Sequence, residues 1–192
     1  MQETTSVLLA GVGGQGIILA GRVFSQLLLN SDCDVKMSEI HGMAQRGGSV
    51  TTHVRYGERV SAPTISPGQA DVILAFEAME AARMAHWLRP GGVMVANTRR
   101  IPSLPILIAK ETYPEDLPAR LSARGISAHW LDAYTTAVGL GNSKAENVVL
   151  LGAFSTVLPF AESAWRQAIA QVVPAKAVEL NLVAFAAGRE LA

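Results

Sequence analysis

The stretch LLAGVGGQGIILAGRVF, residues 8–24, restricts the fold more than any other part of the chain. A short apolar run from Ser6 to Ala10 ends abruptly in Gly11, Gly13, Gly14 and Gly16, which reads as a buried parallel strand running into a turn. Beyond the turn, Ile17, Ala20, Gly21, Phe24, Leu27 and Leu28 recur at three- and four-residue steps, the spacing of a helix laying one face on a sheet. Strand, glycine turn and helix in this order predict an α/β protein. Gly11, Gly13 and Gly16 also satisfy the GxGxxG spacing, so backbone amides at the helix N-terminus are placed to receive a phosphate or carboxylate. The same glycines equally serve to let the helix pack closely on the strand.

The rest of the chain extends the pattern. VKMSE at 35–39 reads as a second short strand, and SVTTHVRYG at 49–57 alternates as a strand with one more polar face. After the turn at Gly57, RVSAPTI is expected to return as its antiparallel partner. DVILAF at 71–76 suits a central strand, EAMEAARMAHWL at 77–88 a helix stopped by Pro90-Gly91-Gly92, and VMVAN at 93–97 another buried strand. Four prolines make 101–118 loop-rich around one short strand, with a helix near 115–124 and a last strand in ISAHWLDA at 126–133. Segments 134–140, 144–158, 162–172 and 174–189 all read as helical. The expectation is one domain over the whole chain, with a sheet-forming part at about 5–133 and a helical part at about 134–190 that packs on the sheet or against another subunit.

Composition narrows the function. The 192 residues carry 16 basic and 16 acidic side chains, and Arg99-Arg100 is too short a basic patch for nucleic acid. The glycine-broken N-terminal run lacks a preceding basic region and falls short of the ~20 apolar residues that a membrane helix needs, so a cytoplasmic protein without membrane contact is expected. Cys33 is the single cysteine. It excludes an internal disulfide and a four-thiolate iron–sulfur site within one chain, and with two aspartates beside it an ordinary thiol is expected.

A second segment, SEIHGMAQRGGSV at 38–50, groups Ser38, Glu39, His41, Gln45, Arg46 and Ser49 around Gly42, Gly47 and Gly48 with little apolar content. Such a loop after a sheet strand presents side chains to ligands or partners, and an arginine before two glycines offers both a guanidinium and bare amides to an anion. His41 is open to acid–base, hydrogen-bonding or interface roles. A nicotinamide site requires an acidic residue about 20 residues beyond the glycine turn; Asp34 and Glu39 stand at the start and end of the second strand, while Gly14 and Gln15 are unusual for that fold. Nucleophile elbow, HExxH, P-loop lysine and cysteine–histidine dyad are all missing from the sequence. Glu77, Asn97 and Thr98 follow strands, where they either face a ligand crevice or cap and brace the backbone. Asn142 or Ser143 is placed to cap a helix with Glu146 near the capping-box position, and Phe154, Phe160, Trp165 and Phe185 are expected in the core or against a partner.

Taken in order, GVGGQG, SEIHGMAQRGGSV, ADVILAFEAMEA, PGGVMVANT, AENVVLLGAF and VPAKAVELNLVAFAAG resemble the gamma-type subunits of 2-oxoacid:ferredoxin oxidoreductases over nearly the whole chain. The HGMAQRGGSV segment is most similar to the small beta subunit of the indolepyruvate enzymes. The resemblance implies a three-layer α/β/α Rossmann-like module with a mostly parallel sheet and a helical C-terminal third. It implies larger partner chains bearing thiamine diphosphate, magnesium and iron–sulfur clusters, ferredoxin reached through the complex, coenzyme A as co-substrate, and an isolated chain that is inactive or a homodimer. No thiamine-binding signature is present in this sequence, in keeping with that division. The cofactor-binding residues it implies are Gly11, Gly13, Gly14, Gln15 and Gly16 in the first loop, and Glu39, His41, Gln45, Arg46, Gly47, Gly48 and Ser49 in the second; no catalytic residue or metal ligand is expected in this chain. The rival reading is a free-standing nucleotide-binding or regulatory protein that uses the glycine loop alone.

Overall fold

The computed structural model describes residues 4–42 and 47–192. Its centre is a six-stranded sheet of order β2-β3-β1-β4-β5-β6, formed by β1 (Thr5–Val12), β2 (Asp34–His41), β3 (Ser49–Gly57), β4 (Ala70–Ala75), β5 (Leu88–Asn97) and β6 (Ala128–Leu131). β1, β4, β5 and β6 are parallel neighbours, and β3 alone is reversed, pairing antiparallel with both β1 and β2. β1 lies inside the sheet because both of its faces are apolar, with Val7, Leu8, Leu9 and Ala10 fully buried.

The pleat of these strands divides the core into two layers of helix. Val7, Leu9, Val54, Leu74 and Val95 face α1 (Ile17–Asn30), α6 (Glu146–Ser155), α7 (Glu162–Val172) and α8 (Val178–Arg189). Leu8, Ile73, Ala75, Met94 and Ala96 face α2 (Ala78–Met84) and α4 (Leu117–Ser122). Between these layers in sequence come α3 (Leu104–Leu107) and α5 (Ala133–Gly139). The helical C-terminal third therefore packs on the sheet. α6 is apolar all round and buried from Asn147 to Ser155, as a helix clasped between a sheet and other helices must be. Phe24 of α1 stacks on Trp165 of α7 with centroids 5.6 Å apart and meets Phe154 of α6 edge-on at 5.3 Å, so Phe154, Trp165 and Phe185 belong to the core.

Local departures from the sequence expectations have physical causes. RVSAPTI forms no strand; the antiparallel partners of β3 are β1 and β2, and 58–69 instead covers the sheet irregularly. It is held by Arg55, which donates to the Ala62 carbonyl at 3.1 Å, and by buried His53, whose Nδ1 accepts the Ile65 N–H at 3.1 Å. The helix after β4 stops at Met84, passes through a 3₁₀ turn at Ala85–Trp87, and β5 starts at Leu88, before the Pro-Gly-Gly that was expected to precede it. A bulge accommodates those residues: the pairing jumps from Ala70↔Leu88 to Val72↔Val93, so Pro90 needs no ladder hydrogen bond. The segment 101–118 contains the single turn of α3 where a short strand was expected.

α6 and α8 cross backbone to backbone. A Cβ on Gly188 would fall on the Val149 carbonyl oxygen, and one on Gly152 on the Phe185 carbonyl oxygen, whereas a Cβ on Gly139 at the end of α5 would meet nothing. Gly188→Ala is accordingly expected to destabilise the protein by about 2 kcal/mol or more in urea unfolding, and Gly139→Ala to leave stability equal or slightly higher.

Candidate functional site

At the carboxyl end of β1 the chain passes through the glycine turn into α1. Gly11 has no room for a side chain, since a Cβ there would lie 2.8 Å from Phe76 Cβ and from Gln15 Oε1. Gly14 and Gly16 take positive φ values of 107° and 77°, and a Cβ on Gly16 would collide with the amide nitrogen of Asn147. Gln15 braces the turn from behind: its Oε1 accepts the Val12 N–H at 2.8 Å, and its Nε2 donates to the Phe76 carbonyl at 2.7 Å.

β2 and β3, which carry the two ends of the second glycine segment, pair as an antiparallel hairpin with His41 opposite Val50. Of the side chains grouped with this segment, Glu39 and His41 stand in β2 and Ser49 opens β3. The hairpin is fastened to the glycine turn by its backbone: Gly13 N–H donates to the Gly48 carbonyl at 2.8 Å, and Gly47 N–H to the Gly13 carbonyl at 3.3 Å. Two segments distant in sequence thus become one structure.

Together they enclose a cleft of about 410 Å³ lined by Gly13, Gly14, Gly16, Ile17, Ile18, Glu39, His41 and Val50. Glu39 and His41 reach it because alternate residues of β2 face the α1 side of the sheet. Opposite them is the N-terminus of α1, a helix of 14 residues whose N-cap, Gly16, supplies no capping side chain and whose first turn carries no acidic residue. Its leading amides and dipole therefore favour a negatively charged group. The cleft combines an anion-attracting end, an apolar floor, and a carboxylate and imidazole on the far wall. That arrangement suits an anionic ligand; among the described residues it contains no nucleophile and base in mutual contact, and no group of three or more His, Cys, Asp or Glu is placed to hold a metal ion.

Other sequence candidates are placed elsewhere. Gly11 and Gln15 lie behind the cleft, and Ser49 turns to the opposite face of the sheet, where its hydroxyl donates to Glu80 Oε2 at 2.5 Å. Gln45 and Arg46 lie outside the described residues. Glu77 is fully buried and caps α2, accepting the Glu80 N–H at 2.9 Å, the Ile101 N–H at 3.0 Å and the Tyr113 hydroxyl. Burial and this carboxylate push the Tyr113 phenol up. Asn97 is likewise a brace, donating to the Phe76 carbonyl at 3.2 Å and to Glu146 Oε1 at 2.6 Å while accepting the Ala133 N–H. Asn142 caps the 3₁₀ turn Ser143–Ala145, but Glu146 faces Asn97 instead of completing a capping box. Cys33 sits beyond the far end of α1, its thiol raised by burial and by Asp32.

Asn147, which the sequence reading passed over, donates to the Gly16 carbonyl at 3.3 Å and is 4% exposed. A polar residue at the head of the otherwise apolar run NVVLLGAF was its available signal. Glu80 escaped notice because an acidic residue in an alanine-rich helix reads as a solvated face.

A family model described as pyruvate ferredoxin/flavodoxin oxidoreductase matches residues 6–191. The chain belongs to this family. It is 38% identical over 189 residues to indolepyruvate oxidoreductase subunit IorB of Pyrococcus horikoshii, covering 95% of this chain and 93% of that one. In structure it is similar to the gamma subunit of a keto/oxoacid ferredoxin oxidoreductase from Geobacter sulfurreducens, with a TM-score of 0.72, 23% identity and 97% of each chain covered. It is similar also to 2-oxoglutarate:ferredoxin oxidoreductase from Magnetococcus marinus with 2-oxoglutarate, coenzyme A and succinyl-CoA bound, at a TM-score of 0.72 and 19% identity, covering all of this chain and 31% of that one. The α/β architecture is thus that of known oxidoreductase gamma subunits.

Glu146 offers a test of the braced end of the sheet. Its carboxyl is raised above the usual 4.5 by burial, against the lowering effects of the Asn97 amide and Arg99. A raised carboxyl holds its proton more tightly in the folded state, so its contribution to stability is present below about pH 4.5 and is lost as pH rises through the folded value. Glu146→Gln, which keeps an acceptor for Asn97, is expected to remove this loss and raise stability at pH 7 relative to pH 4.5, compared with wild type in urea unfolding at the two pH values.

Proposed function

We propose that this chain is the small, gamma-type subunit of a cytoplasmic 2-oxoacid:ferredoxin oxidoreductase that oxidatively decarboxylates an aryl pyruvate such as indolepyruvate to an acyl-CoA, and that it completes the assembly and positions coenzyme A. The observation that carries the reading is the cleft between the uncapped N-terminus of α1 and the β2–β3 hairpin, in a chain whose family and IorB relatives are oxidoreductases. Amides at the start of α1 meet phosphate oxygens, Ile18 and Val50 cover apolar parts of the ligand, and Glu39 and His41 take up its hydroxyl and amine donors. The redox centres fit other chains, because a lone Cys33 supplies no cluster ligand set. Thiamine diphosphate and magnesium, with the clusters on larger partners, supply decarboxylation and single-electron transfer to ferredoxin. Support for coenzyme A comes from the Magnetococcus marinus enzyme, which contains a region of this fold and has that co-substrate bound.

Anaerobic pull-down of the tagged chain from its host is expected to recover a larger, coloured partner with cluster absorbance, and the isolated chain to oxidise no 2-oxoacid. In the assembled enzyme, Glu39→Gln and His41→Ala should raise KM for coenzyme A about three- to tenfold, with kcat within about twofold of wild type. Recovery of a colourless chain alone, with nucleotide affinity of its own, would sink the subunit reading in favour of a free-standing binder.

A further inference from the structure

Glu80 is a buried carboxylate in the first turn of α2 that the cleft does not use. Its residue is 1% exposed, and burial of a charged group is unfavourable unless specific partners compensate. One oxygen is 3.0 Å from Arg83 Nη1, whose side chain is 47% exposed, so this pair reaches out toward solvent. The other oxygen accepts the Ser49 hydroxyl at 2.5 Å, joining α2 to the first residue of β3.

Ser49 follows Gly48, whose carbonyl accepts the Gly13 N–H, and precedes Val50, which lines the cleft beside His41. The start of β3 is therefore held twice: in the plane of the sheet by the glycine turn, and from the face opposite the cleft by Glu80. Glu80 is in turn fixed at its backbone, since its N–H is taken by the Glu77 carboxylate that Tyr113 and Ile101 also engage. We propose that Glu80 is a positioning residue: through Ser49 it sets the base of the β2–β3 hairpin, and so the wall of the cleft formed by His41 and Val50. The consequence for coenzyme A rests on the function proposed above; the positioning itself does not.

The test is amide hydrogen exchange in the full chain over residues 47–53, read beside coenzyme A kinetics in the assembled enzyme. Ser49→Ala and Glu80→Ala are each expected to speed exchange there on the order of tenfold, as loss of a hydrogen bond to a charged group would, with the double variant no faster than either single one. Glu80→Gln, whose carbonyl still accepts the Ser49 hydroxyl, should restore protection. Arg83→Ala should leave it unchanged. In the assembled enzyme Ser49→Ala should raise KM for coenzyme A with little change in kcat, and Glu80→Gln should stay near wild type. Unchanged exchange in Ser49→Ala, or an Arg83→Ala effect equal to that of Glu80→Ala, overturns the proposal. Faster exchange with unaltered KM upholds the positioning and overturns instead the placing of coenzyme A in this cleft.

Discussion

The cleft end of the molecule depends on how closely other groups approach the carboxyl end of β1. Gly11 admits Phe76 and Gln15 to distances that any side chain would forbid, and Gly13 exchanges two backbone hydrogen bonds with the hairpin. Backbone pairing of this kind holds geometry more tightly than side-chain contacts, because each bond fixes groups with little rotational freedom of their own. The cleft inherits that rigidity on both walls: α1 is the direct continuation of the turn, and β2–β3 is tied to it.

Behind the cleft, amide side chains brace the backbone and do not face a ligand. Gln15 and Asn97 both donate to the Phe76 carbonyl, and Asn147 donates to that of Gly16. These side chains satisfy backbone groups that would otherwise lie unpaired where strands end and helices begin. Glu77 does the same for the head of α2 and the segment after β5. Among the described residues the exposed rim thereby stays free of bracing side chains, and the N-terminus of α1 has no side-chain cap. A helix end left open at the edge of a crevice keeps its amides available to an anion, whereas the same end closed by a serine or aspartate would not.

Much of this was legible beforehand, and the boundary between legible and illegible is instructive. The strand, glycine turn and helix of residues 5–30 could be read because an apolar run, positive-φ glycines and helical spacing all act locally. The helix at 162–172 was read with its observed limits for the same reason. RVSAPTI misled, since its alternation is that of a strand but its backbone is engaged by Arg55 and His53. Pro90-Gly91-Gly92 misled because helix stops and strand bulges use the same residues. Neither difference has a local signature.

The sequence by itself determined the α/β class, the placing of a glycine turn at the head of a helix, and the two polar glycine segments that mark the site, because these follow from periodicity and from backbone freedom within a few residues. The tertiary structure alone decided that the two segments are hydrogen-bonded to each other, that Glu39 and His41 face the cleft while Ser49 turns to Glu80, and that Gln15, Asn97 and Asn147 brace it. For the strand residues the reason is the pleat and register of β1, β2 and β3: a shift of one residue would send Glu39, His41 and Ser49 to the opposite face, and register is set by pairing between segments tens of residues apart.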